Sequence, residues 1–465
     1  MAIKLEKAGI GFTVFEKSAE VGGTWRDNTY PGLVCDVPAA VYTYSFERNP
    51  DWPRWLATGE EIQQYVERVC EKHDLRRHIR FATEVAEARW IDDAWLLRTA
   101  GGDEHRFDAV IHATGFLHRP RYPEIPGLET FAGPAFHSAR WDHGVEVAGR
   151  RVGVIGTGST GVQIVSALAG TASHVTMFQR TAQWIFPMGN PRIPAPMRKA
   201  LRRWPRASER WVDFLVRAIG DWFLGPAANH PGIQRRVFGW ACRKHLQTVR
   251  DPQLRARLTP TYVPLCKRPV MSTTFYKAIQ RPDAELVDGP IDRICPEGVV
   301  TRDGRLHELD VLVFATGFHA HAYMQPMHVV GEDGTTLEQA WRDGPHAYLT
   351  VAIPNFPNMF MLMGPHSPLI NVPVHETVEL QADYIVRLLG LLARRDGSAA
   401  PTSEAAERWL EEIRAGMAPT VWANGCRSWY IGPDGVAVQW PFPRARLHDL
   451  LRQPDLEDFE VRAVR

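Results

Sequence analysis

A glycine-rich turn between a predicted strand and a predicted helix is the feature of this sequence whose chemistry can be read most directly. Residues 152–155 form a short apolar run broken by one glycine, the string GTGSTG follows, and a helical pattern comes next. At such a turn, backbone N–H groups point toward a bound phosphate, and glycines let the backbone approach it closely. We therefore expect the diphosphate of a dinucleotide to lie against Gly156, Thr157, Gly158, Ser159, Thr160 and Gly161.

The next predicted strand ends in an arginine where many dinucleotide enzymes carry an acid. Arg180 and Thr181 lie about 20 residues after the turn, the position at which NAD-binding proteins place a carboxylate on the ribose 2′-hydroxyl. A guanidinium instead pairs bidentately with phosphate, so this position favours NADPH over NADH. The alternative is that Arg180 is a solvated surface arginine.

An earlier segment has the pattern of a second nucleotide-binding unit that lacks its beginning. Residues 12–15 are β-branched or aromatic, and Glu16 follows them as an acid able to bind a ribose hydroxyl. The glycine turn of such a unit lies about 20 residues before the acid, which here falls before residue 1. Residues 2–10 are predicted to be the end of the first helix, stopped near Gly9. The first strand and its GxGxxG turn are therefore expected to be missing, through a start codon assigned too late or through a true truncation.

Length and composition narrow the class of protein. A chain of 465 residues is long enough for two or three domains. Its 54 Lys and Arg balance 53 Asp and Glu, which gives no reason to expect a nucleic-acid partner. Its six cysteines include no CxxC pair, so reduced thiols are expected instead of a zinc cage or a dithiol centre. Without a membrane-spanning run or a signal-peptide pattern, the sequence predicts a soluble, cytoplasmic enzyme that acts on small molecules.

Two longer patterns occur in an order that identifies a family. The pattern GGxWxxxxYPGxxxD is met by Gly22, Gly23, Trp25, Tyr30, Pro31, Gly32 and Asp36. The pattern FxGxxxHxxxWD, just upstream of the GTGSTG turn, is met by Phe131, Gly133, His137, Trp141 and Asp142. Together they resemble the signatures of the Baeyer–Villiger monooxygenases, class B flavoproteins within the flavin-containing monooxygenase superfamily.

This resemblance implies an α/β fold with two Rossmann-like dinucleotide-binding domains, one for FAD and one for NADP, and a helical insert. Two ATGF strings, at residues 113–116 and 315–318, would mark the exits from the two domains. The expected FAD domain comprises residues 1–141 and 319–465 and is incomplete at its N-terminus. The expected NADP domain comprises residues 149–187 and 262–318, and the insert residues 188–261.

The resemblance also implies an activity. Family members use FAD, NADPH and O2 to convert a ketone to an ester or lactone through a C4a-peroxyflavin. Two alternatives stay open at this point. One is a flavin-containing monooxygenase that oxidises nitrogen or sulfur, although Trp141–Asp142 and Arg268 argue against it. The other is a flavin-deficient NADP-binding remnant, if the truncation is real.

Cofactor-contacting residues in the first part of the chain follow from the same resemblance. Glu16 would bind the adenosine ribose, and further contacts with the flavin cofactor would come from Gly22, Gly23, Thr24, Trp25, Asp36, Tyr42 and the backbone of Val85. A bare pair such as Gly22–Gly23 is otherwise typical of an ordinary loop turn.

The pair Lys267–Arg268, which precedes a predicted helix, matches a pair found in the family. The match implies that Lys267 contacts the 2′-phosphate and that Arg268 lies over the flavin. There its fixed charge would stabilise both the peroxide anion and the oxyanion of the ketone adduct. Asp36 would orient Arg268, or it would instead cap the turn that follows it.

Three further residues are assigned by resemblance to parts of the enzyme that move. His137 and Trp141 lie in the linker, where they would couple domain motion to cofactor turnover, although a lone histidine there could equally be a satisfied core group. Trp429, in the string NGCRSWYIGPDG, would reach NADP from a mobile substrate loop. Its alternative role is that of a core aromatic residue.

The insert is predicted to contain an amphipathic helix and is locally basic. The helical spacing is that of Trp211, Phe214, Leu215, Ala218 and Trp222. Between residues 198 and 250 there are 12 Lys or Arg (198, 199, 202, 203, 206, 210, 217, 235, 236, 243, 244, 250) and 3 acids (209, 213, 221). The favoured interpretation is a helical cap over the nicotinamide domain. The alternative is an interfacial helix that meets anionic lipid and collects apolar ketones.

Overall fold

The computed structural model describes residues 1–395, 397–423, 425–426 and 428–463, and its best-formed element is a parallel sheet in the middle of the chain. This sheet has five strands, in the order Ala284–Val287, His174–Phe178, Arg151–Ile155, Val311–Phe314 and Ala135–His137. Helix Ser159–Leu168 follows strand Arg151–Ile155 after the glycine turn, so the strand, turn and helix predicted there are confirmed.

The linker strand Ala135–His137 forms one edge of this sheet by pairing with Val311–Phe314. The sheet therefore begins upstream of residue 141, the point at which the expected flavin domain ends. Around it lie helix Phe275–Ala278, the parallel strand pair Ile185–Phe186 with Val270–Met271, and the antiparallel strands Ile291–Cys295, Gly298–Thr301 and Leu306–Glu308.

The flavin half is built from shorter pieces. Strand Val14–Phe15 pairs in parallel with Ile79–Arg80, and Val110–His112 pairs in parallel with Met359–Met361. A further sheet has the strand order His328–Val330, Val85–Ile91, Ala94–Thr99 and Glu104–Phe107. Strand Val34–Pro38 pairs in antiparallel fashion with Leu56–Thr58. Both halves are α/β with parallel strands, as the sequence predicts, while the expectation of a missing first strand stays a prediction.

Two helices of the flavin half follow from local sequence signals. The capping-box spacing of Thr58 and Glu61 ahead of an apolar helical pattern predicts a helix that begins at residue 58. The structure has a helix from Gly59 to Lys72, and Thr58 and Glu61 form both hydrogen bonds of the capping box. The first helix, Ala2–Lys7, ends before Gly9, whose φ of 70° lies in the left-handed region that glycine tolerates. Both predictions are confirmed.

Strands of the C-terminal part pair with strands of the flavin half, His328–Val330 with Val85–Ile91 and Met359–Met361 with Val110–His112. The long helix of this part, Val374–Ala393, buries Tyr384, Ile385 and Leu388 in a large hydrophobic cluster. The remaining elements are helices Thr24–Asp27, Leu337–Ala340, Ser403–Met417 and Arg444–Leu450, and the antiparallel strands Gly397–Pro401 and Phe459–Ala463.

The insert is helical, and the predicted apolar side of its amphipathic helix is only partly buried. The helices are Ala195–Arg203, Pro205–Val216, the π-helix Arg217–Leu224, Gly225–Asn229, Ile233–Leu246 and Pro252–Arg257. The buried side chains of Pro205–Val216 are Val212, Leu215 and Val216, whereas Phe214 and Trp222 are exposed.

This helix also packs on a different partner from the expected one. Val212, Leu215 and Val216 contact a cluster that contains Val41 and Trp55, in the flavin half. Only later residues of the insert, such as Leu246 and Leu254, join the core of the nicotinamide sheet. The interpretation of the whole insert as a cap over the nicotinamide domain is therefore wrong for its first long helix. Among the described helices, none combines the length and the apolar character needed to cross a bilayer.

Candidate functional site

An ion pair between the two halves lies at the centre of the site. Arg268 donates through Nε to Asp36 Oδ2 at 3.0 Å and through NH2 to Asp36 Oδ1 at 2.8 Å. The side chains keep 34% and 17% of their surface exposed, respectively. This is the fork-to-fork geometry in which a guanidinium and a carboxylate fix each other's orientation.

Local structure explains why these side chains meet, although they are 232 residues apart. Asp36 lies in strand Val34–Pro38 of the flavin half, and Arg268 lies two residues before strand Val270–Met271, in the segment that follows the insert. The Asp36 carboxylate raises the pKa of Arg268 still further above its ordinary value, more than burial lowers it. Arg268 is thus a fixed cation at any pH at which the protein is folded.

Neutral aromatic and thiol groups surround this pair. Tyr430 is fully buried, and burial raises its pKa to about 12 although the charge of Arg268 opposes the shift. The Tyr430 hydroxyl has no hydrogen-bond partner of normal geometry among the described residues. Burial likewise raises the pKa of the Cys35 thiol to about 12. Apart from Asp36, the groups that perturb Arg268 are therefore uncharged near neutral pH.

The flavin-side residues named from the sequence cluster next to the pair. Trp25 Nε1 donates to the Tyr42 hydroxyl at 3.2 Å, and the two rings meet edge to face at 5.5 Å. Thr24 begins the short helix Thr24–Asp27 directly after Gly22 and Gly23, which have φ values of 121° and 52°.

Packing requires glycine at only one position of the Gly22–Gly23 pair. A Cβ atom at Gly22 would lie 1.8 Å from Oε1 of Gln63, whereas a Cβ atom at Gly23 would have no atom within 4 Å. Gln63 Nε2 donates to the carbonyl of Val21 at 2.9 Å, and its Oε1 is buried without a partner among the described residues. The turn therefore leaves space and an unused acceptor beside it.

The acid predicted to bind ribose lies at the far end of this region. The Glu16 carboxylate accepts hydrogen bonds from the backbone N–H of Ser18 at 2.9 Å and from Arg26 at 3.3 Å. Val85 begins strand Val85–Ile91 and packs in the same hydrophobic cluster as Phe15, the residue before Glu16.

The glycine turn of the nicotinamide half has the geometry of a phosphate cradle. Gly156 has a φ of 124°, and a Cβ atom there would lie 2.2 Å from the Ala315 carbonyl oxygen. At Gly161 a Cβ atom would lie 2.1 Å from the carbonyl oxygen of Gly156, so the helix packs closely on the turn. Gly158, the N-cap of helix Ser159–Leu168, has open space instead. Glycine is thus required where the backbone packs on itself, and the cradle is open where a phosphate would bind.

Neighbouring side chains hold this turn in place. Thr157 donates through Oγ1 to the carbonyl oxygen of Thr181 at 2.8 Å, which ties the turn to the strand end that bears Arg180. Thr160 donates to the hydroxyl of Tyr30 at 3.4 Å, a residue of the flavin half. The cradle is therefore anchored to both halves.

Two cations converge beside the turn. Burial lowers the pKa of Lys267, and the charge of Arg180 lowers it further, so the two side chains lie within electrostatic range. Lys267 Nζ also lies 4.9 Å from the ring centre of Tyr262. Neither cation forms an ion pair with a described residue. Arg180, after the end of this strand, and Lys267 supply two unpaired positive charges that match the charge of a 2′-phosphate, and the residues present fit NADP.

The linker histidine is placed as a satisfied core group. His137 is fully buried, its Nε2 donates to the carbonyl oxygen of Gly317 at 3.0 Å, and its Nδ1 accepts from the N–H of Ala139 at 3.1 Å. Burial lowers the pKa of His137 to about 4. Trp141 is half-buried and packs edge to face on Phe136 at 5.1 Å. The geometry provides no proton path through His137, and the coupling role of this residue and Trp141 stays a prediction.

Trp429 forms one wall of a small cavity. It is 37% exposed, its ring centre lies 4.4 Å from that of Tyr430, and it stacks on Phe116 at 6.1 Å. The cavity is also lined by His366, whose pKa burial lowers to about 3. The contact between Trp429 and NADP stays a prediction.

A disulfide joins the arginine segment to the Trp429 loop, contrary to the expectation of reduced thiols. Cys266, directly before Lys267, is bonded to Cys426 across a sequence separation of 160 residues. A pairing over such a distance leaves no spacing signal in the sequence. Tyr430 escaped the sequence reasoning for a similar reason, because its closeness to Arg268 depends on the tertiary fold.

The residues present fit part of an FAD molecule. The space beside Gly23, the unused acceptor of Gln63 and the Trp25–Tyr42 pair suit the approach of a planar ring system toward Arg268, and Glu16 suits a ribose.

Comparison with known proteins gives a consistent result over the whole chain. Residues 4–197 match the family model described as flavin-binding monooxygenase-like. An uncharacterized monooxygenase of Mycobacterium tuberculosis is 48% identical over 97% of this chain and 90% of its own length. A Baeyer–Villiger monooxygenase of Streptomyces coelicolor is 37% identical over 99% of this chain and 90% of its own length.

Solved structures agree with these relatives. Cyclohexanone monooxygenase from Rhodococcus sp. Phi1 bound to NADP+ superimposes with a TM-score of 0.88 and 31% identity, covering 99% of this chain and 96% of that one. The enzyme OTEMO in complex with FAD and NADP superimposes with a TM-score of 0.89 and 29% identity, over the same shares of the two chains.

Proposed function

The chain belongs to the Baeyer–Villiger monooxygenases, a family of class B flavoprotein monooxygenases, and from this premise we propose that it uses FAD, NADPH and O2 to convert a small apolar ketone to an ester or lactone. The overall reaction consumes ketone, O2, NADPH and H+ and yields ester, NADP+ and water. The observation that carries the proposal is the bidentate Arg268–Asp36 pair between the two nucleotide-binding halves.

The geometry described above supports an assignment of the two cofactors to particular residues. NADPH would be held by the turn of residues 156–161, with its 2′-phosphate between Arg180 and Lys267. FAD would be held by Glu16, the Gly22–Gly23 turn and Trp25. When bound, FAD supplies the redox chemistry, since it takes two electrons from NADPH and activates O2 for transfer of one oxygen atom to the ketone.

Arg268 contributes a fixed positive charge where oxygen anions develop. Attack on a ketone carbonyl places negative charge on its oxygen, and a preorganised cation in a water-poor site stabilises that charge without reorganisation. A guanidinium carries five N–H donors, and the two bonds to Asp36 leave donors free to face a reacting group. The carboxylate therefore positions Arg268 without using all of its hydrogen-bonding capacity.

Apart from Asp36, the side chains that interact with Arg268 are uncharged near neutral pH. Tyr430 and Cys35 are neutral near pH 7, because burial raises the pKa of each to about 12. No second ionised group among these competes with Asp36 for Arg268, and its electrostatic field acts on the reacting oxygen.

The proposal is tested by following the product and NADPH oxidation separately. Purified protein supplied with FAD is incubated with NADPH and a cyclic ketone, an aryl ketone or a sulfide, and esters, lactones and sulfoxides are quantified by gas chromatography. Wild-type protein is expected to form ester or lactone in step with NADPH consumption. Arg268→Ala should abolish the ester while still oxidising some NADPH, whereas Arg302→Ala, at an exposed site outside the pair, should behave like wild type.

Three outcomes would count against the proposal. Ester formation by Arg268→Ala at the wild-type rate would remove the role of the arginine. Sulfoxide without any ester from wild-type protein would favour heteroatom oxidation. NADPH binding without retained flavin absorbance would favour a flavin-deficient NADP-binding protein.

A further inference from the structure

The exposed apolar side chains of this protein are concentrated in the insert. Of thirteen large hydrophobic residues that are exposed among the described residues, seven lie between residues 195 and 246: Met197, Trp204, Phe214, Trp222, Ile233, Val237 and Trp240. Monomeric soluble proteins seldom leave such groups together on one segment without a partner. This concentration therefore indicates a binding surface.

Along helix Pro205–Val216 and the π-helix Arg217–Leu224 that continues it, one half-buried ring and two exposed rings form a continuous cluster. Trp211 stacks on Phe214 at 5.7 Å, and Phe214 meets Trp222 edge to face at 6.0 Å. Trp222 is 57% exposed. The helix has already buried another apolar side, through Val212 and Leu215. The exposed aromatic residues therefore do not contribute to the packing of this helix against the rest of the protein.

Arginines adjoin these rings. Arg210 precedes Phe214 by four residues and Arg217 follows it by three, which places all three on neighbouring positions of the helix surface. Arg206, one turn before Arg210, continues the row, and all three arginines are exposed. None of the three forms an ion pair with a described residue, whereas Arg202 is paired with Asp51.

The helix Ile233–Leu246 repeats the same arrangement. Its exposed apolar residues Ile233, Val237 and Trp240 are spaced at i, i+4 and i+7, and Trp240 is 61% exposed. Arg236 and Lys244 flank Trp240 at four residues on either side, and both are exposed. Because two helices combine exposed aromatic residues with basic neighbours in the same way, chance exposure of single residues does not explain the pattern.

We propose that these two helices form a docking surface for an anionic phospholipid membrane. Tryptophan and phenylalanine insert at the level of the headgroups, while arginine and lysine reach lipid phosphates. The charge favours this occupant, because residues 198–250 carry 12 basic and 3 acidic side chains. A second copy of the chain would place these same arginines against one another in a twofold contact, which is repulsive. Membrane binding is independent of the proposed catalytic function and would bring the enzyme to where apolar ketones partition.

The test uses the full chain and vesicles of defined composition, without any measurement of activity. Wild-type protein is expected to sediment with phosphatidylcholine vesicles containing phosphatidylglycerol, not with pure phosphatidylcholine, and to be released by salt. The triple variant Arg206→Gln/Arg210→Gln/Arg217→Gln should weaken binding about 100-fold, since each basic residue near an anionic surface contributes about fivefold. Phe214→Ser/Trp222→Ser should weaken it as well.

Matched controls separate this surface from general charge. Arg68→Gln/Arg150→Gln/Arg302→Gln removes the same charge from exposed sites outside the insert and should bind vesicles like wild type. Circular dichroism establishes that each variant is folded. Sedimentation that does not depend on anionic lipid, or equal loss in both triple variants, would overturn the proposal. So would self-association in lipid-free gel filtration that Phe214→Ser/Trp222→Ser abolishes, because a second copy would then cover the surface.

Discussion

Replacing Asp36 with alanine removes the only carboxylate bound to Arg268 in the described structure, and we expect oxygen transfer to the ketone to fall about 100-fold. The arginine keeps its charge but loses both bonds that aim it, and a misplacement of about 1 Å in a reacting arrangement costs about 100-fold in rate. That factor corresponds to about 2.7 kcal/mol of transition-state stabilisation. It lies at the lower end of what removal of one preorganised oxyanion donor costs.

The same substitution should also lower the free energy of unfolding, by about 2 kcal/mol. Breaking a fully buried ion pair costs about 3 to 5 kcal/mol. Arg268 keeps 34% of its side-chain surface exposed, so water can replace part of the lost carboxylate and the cost is discounted accordingly. The effect on oxygen transfer is thus expected at a temperature where the variant is still folded.

The assay compares moles of ester formed per mole of NADPH oxidised. Asp310→Ala is a control at a second arginine–aspartate ion pair, because Arg151 on the nicotinamide sheet donates to Asp310 Oδ1 through Nε at 3.2 Å and through NH2 at 2.7 Å. It should lose comparable stability and keep the wild-type product ratio. The reasoning fails if Asp36→Ala retains the wild-type ratio, or if Asp310→Ala lowers the ratio equally.

The remaining predictions concern the coenzyme, the disulfide and pH. Arg180→Ala should raise the KM for NADPH at least tenfold while leaving that for NADH nearly unchanged, since only NADPH carries the 2′-phosphate; equal losses for both coenzymes in steady-state kinetics would contradict this. Reduction of the Cys266–Cys426 disulfide should speed backbone hydrogen exchange in residues 428–436, and Cys426→Ser should abolish the effect of the reductant; exchange that is indifferent to reductant would speak against the link. Burial lowers the pKa of His137 to about 4 and that of His366 to about 3, so the unfolded chain takes up protons below pH about 6.5 that the folded chain refuses. Stability should therefore fall from pH 6.5 toward pH 4 by up to about 1.4 kcal/mol per pH unit for each histidine, and a melting temperature that is flat over this range would be inconsistent with their burial.

Features specified by neighbouring residues were predictable from the sequence. The capping box of Thr58 and Glu61 and the glycine turn after strand Arg151–Ile155 depend on contacts within a few residues, and both are present as predicted. The family was likewise predictable, because two long patterns fix the types of residues at many positions at once.

Features that depend on tertiary packing were not predictable in the same way. The spacing of Trp211, Phe214 and Trp222 predicts an amphipathic helix, but it cannot say which of two apolar sides is buried. The structure buries Val212 and Leu215 against the flavin half and leaves the larger rings outside. The closeness of Arg268 to Asp36 was available only through the family resemblance, since no local signal connects residues so far apart.

The chain crosses between the two halves twice, and the two crossing segments are hydrogen-bonded to each other. Residues 113–121 leave the flavin half and residues 315–319 return to it, and the two strands are joined where Arg121 N–H donates to the Gly317 carbonyl oxygen at 2.9 Å and His319 N–H donates to that of Arg119 at 3.0 Å. Because these two connecting segments are hydrogen-bonded to each other, they cannot bend independently. Any rotation of one half against the other must therefore turn about one axis that both segments share. The imidazole of His137, bonded to Gly317 from the neighbouring sheet edge, lies beside these segments. We expect it to restrain their opening, in line with the coupling role predicted for it.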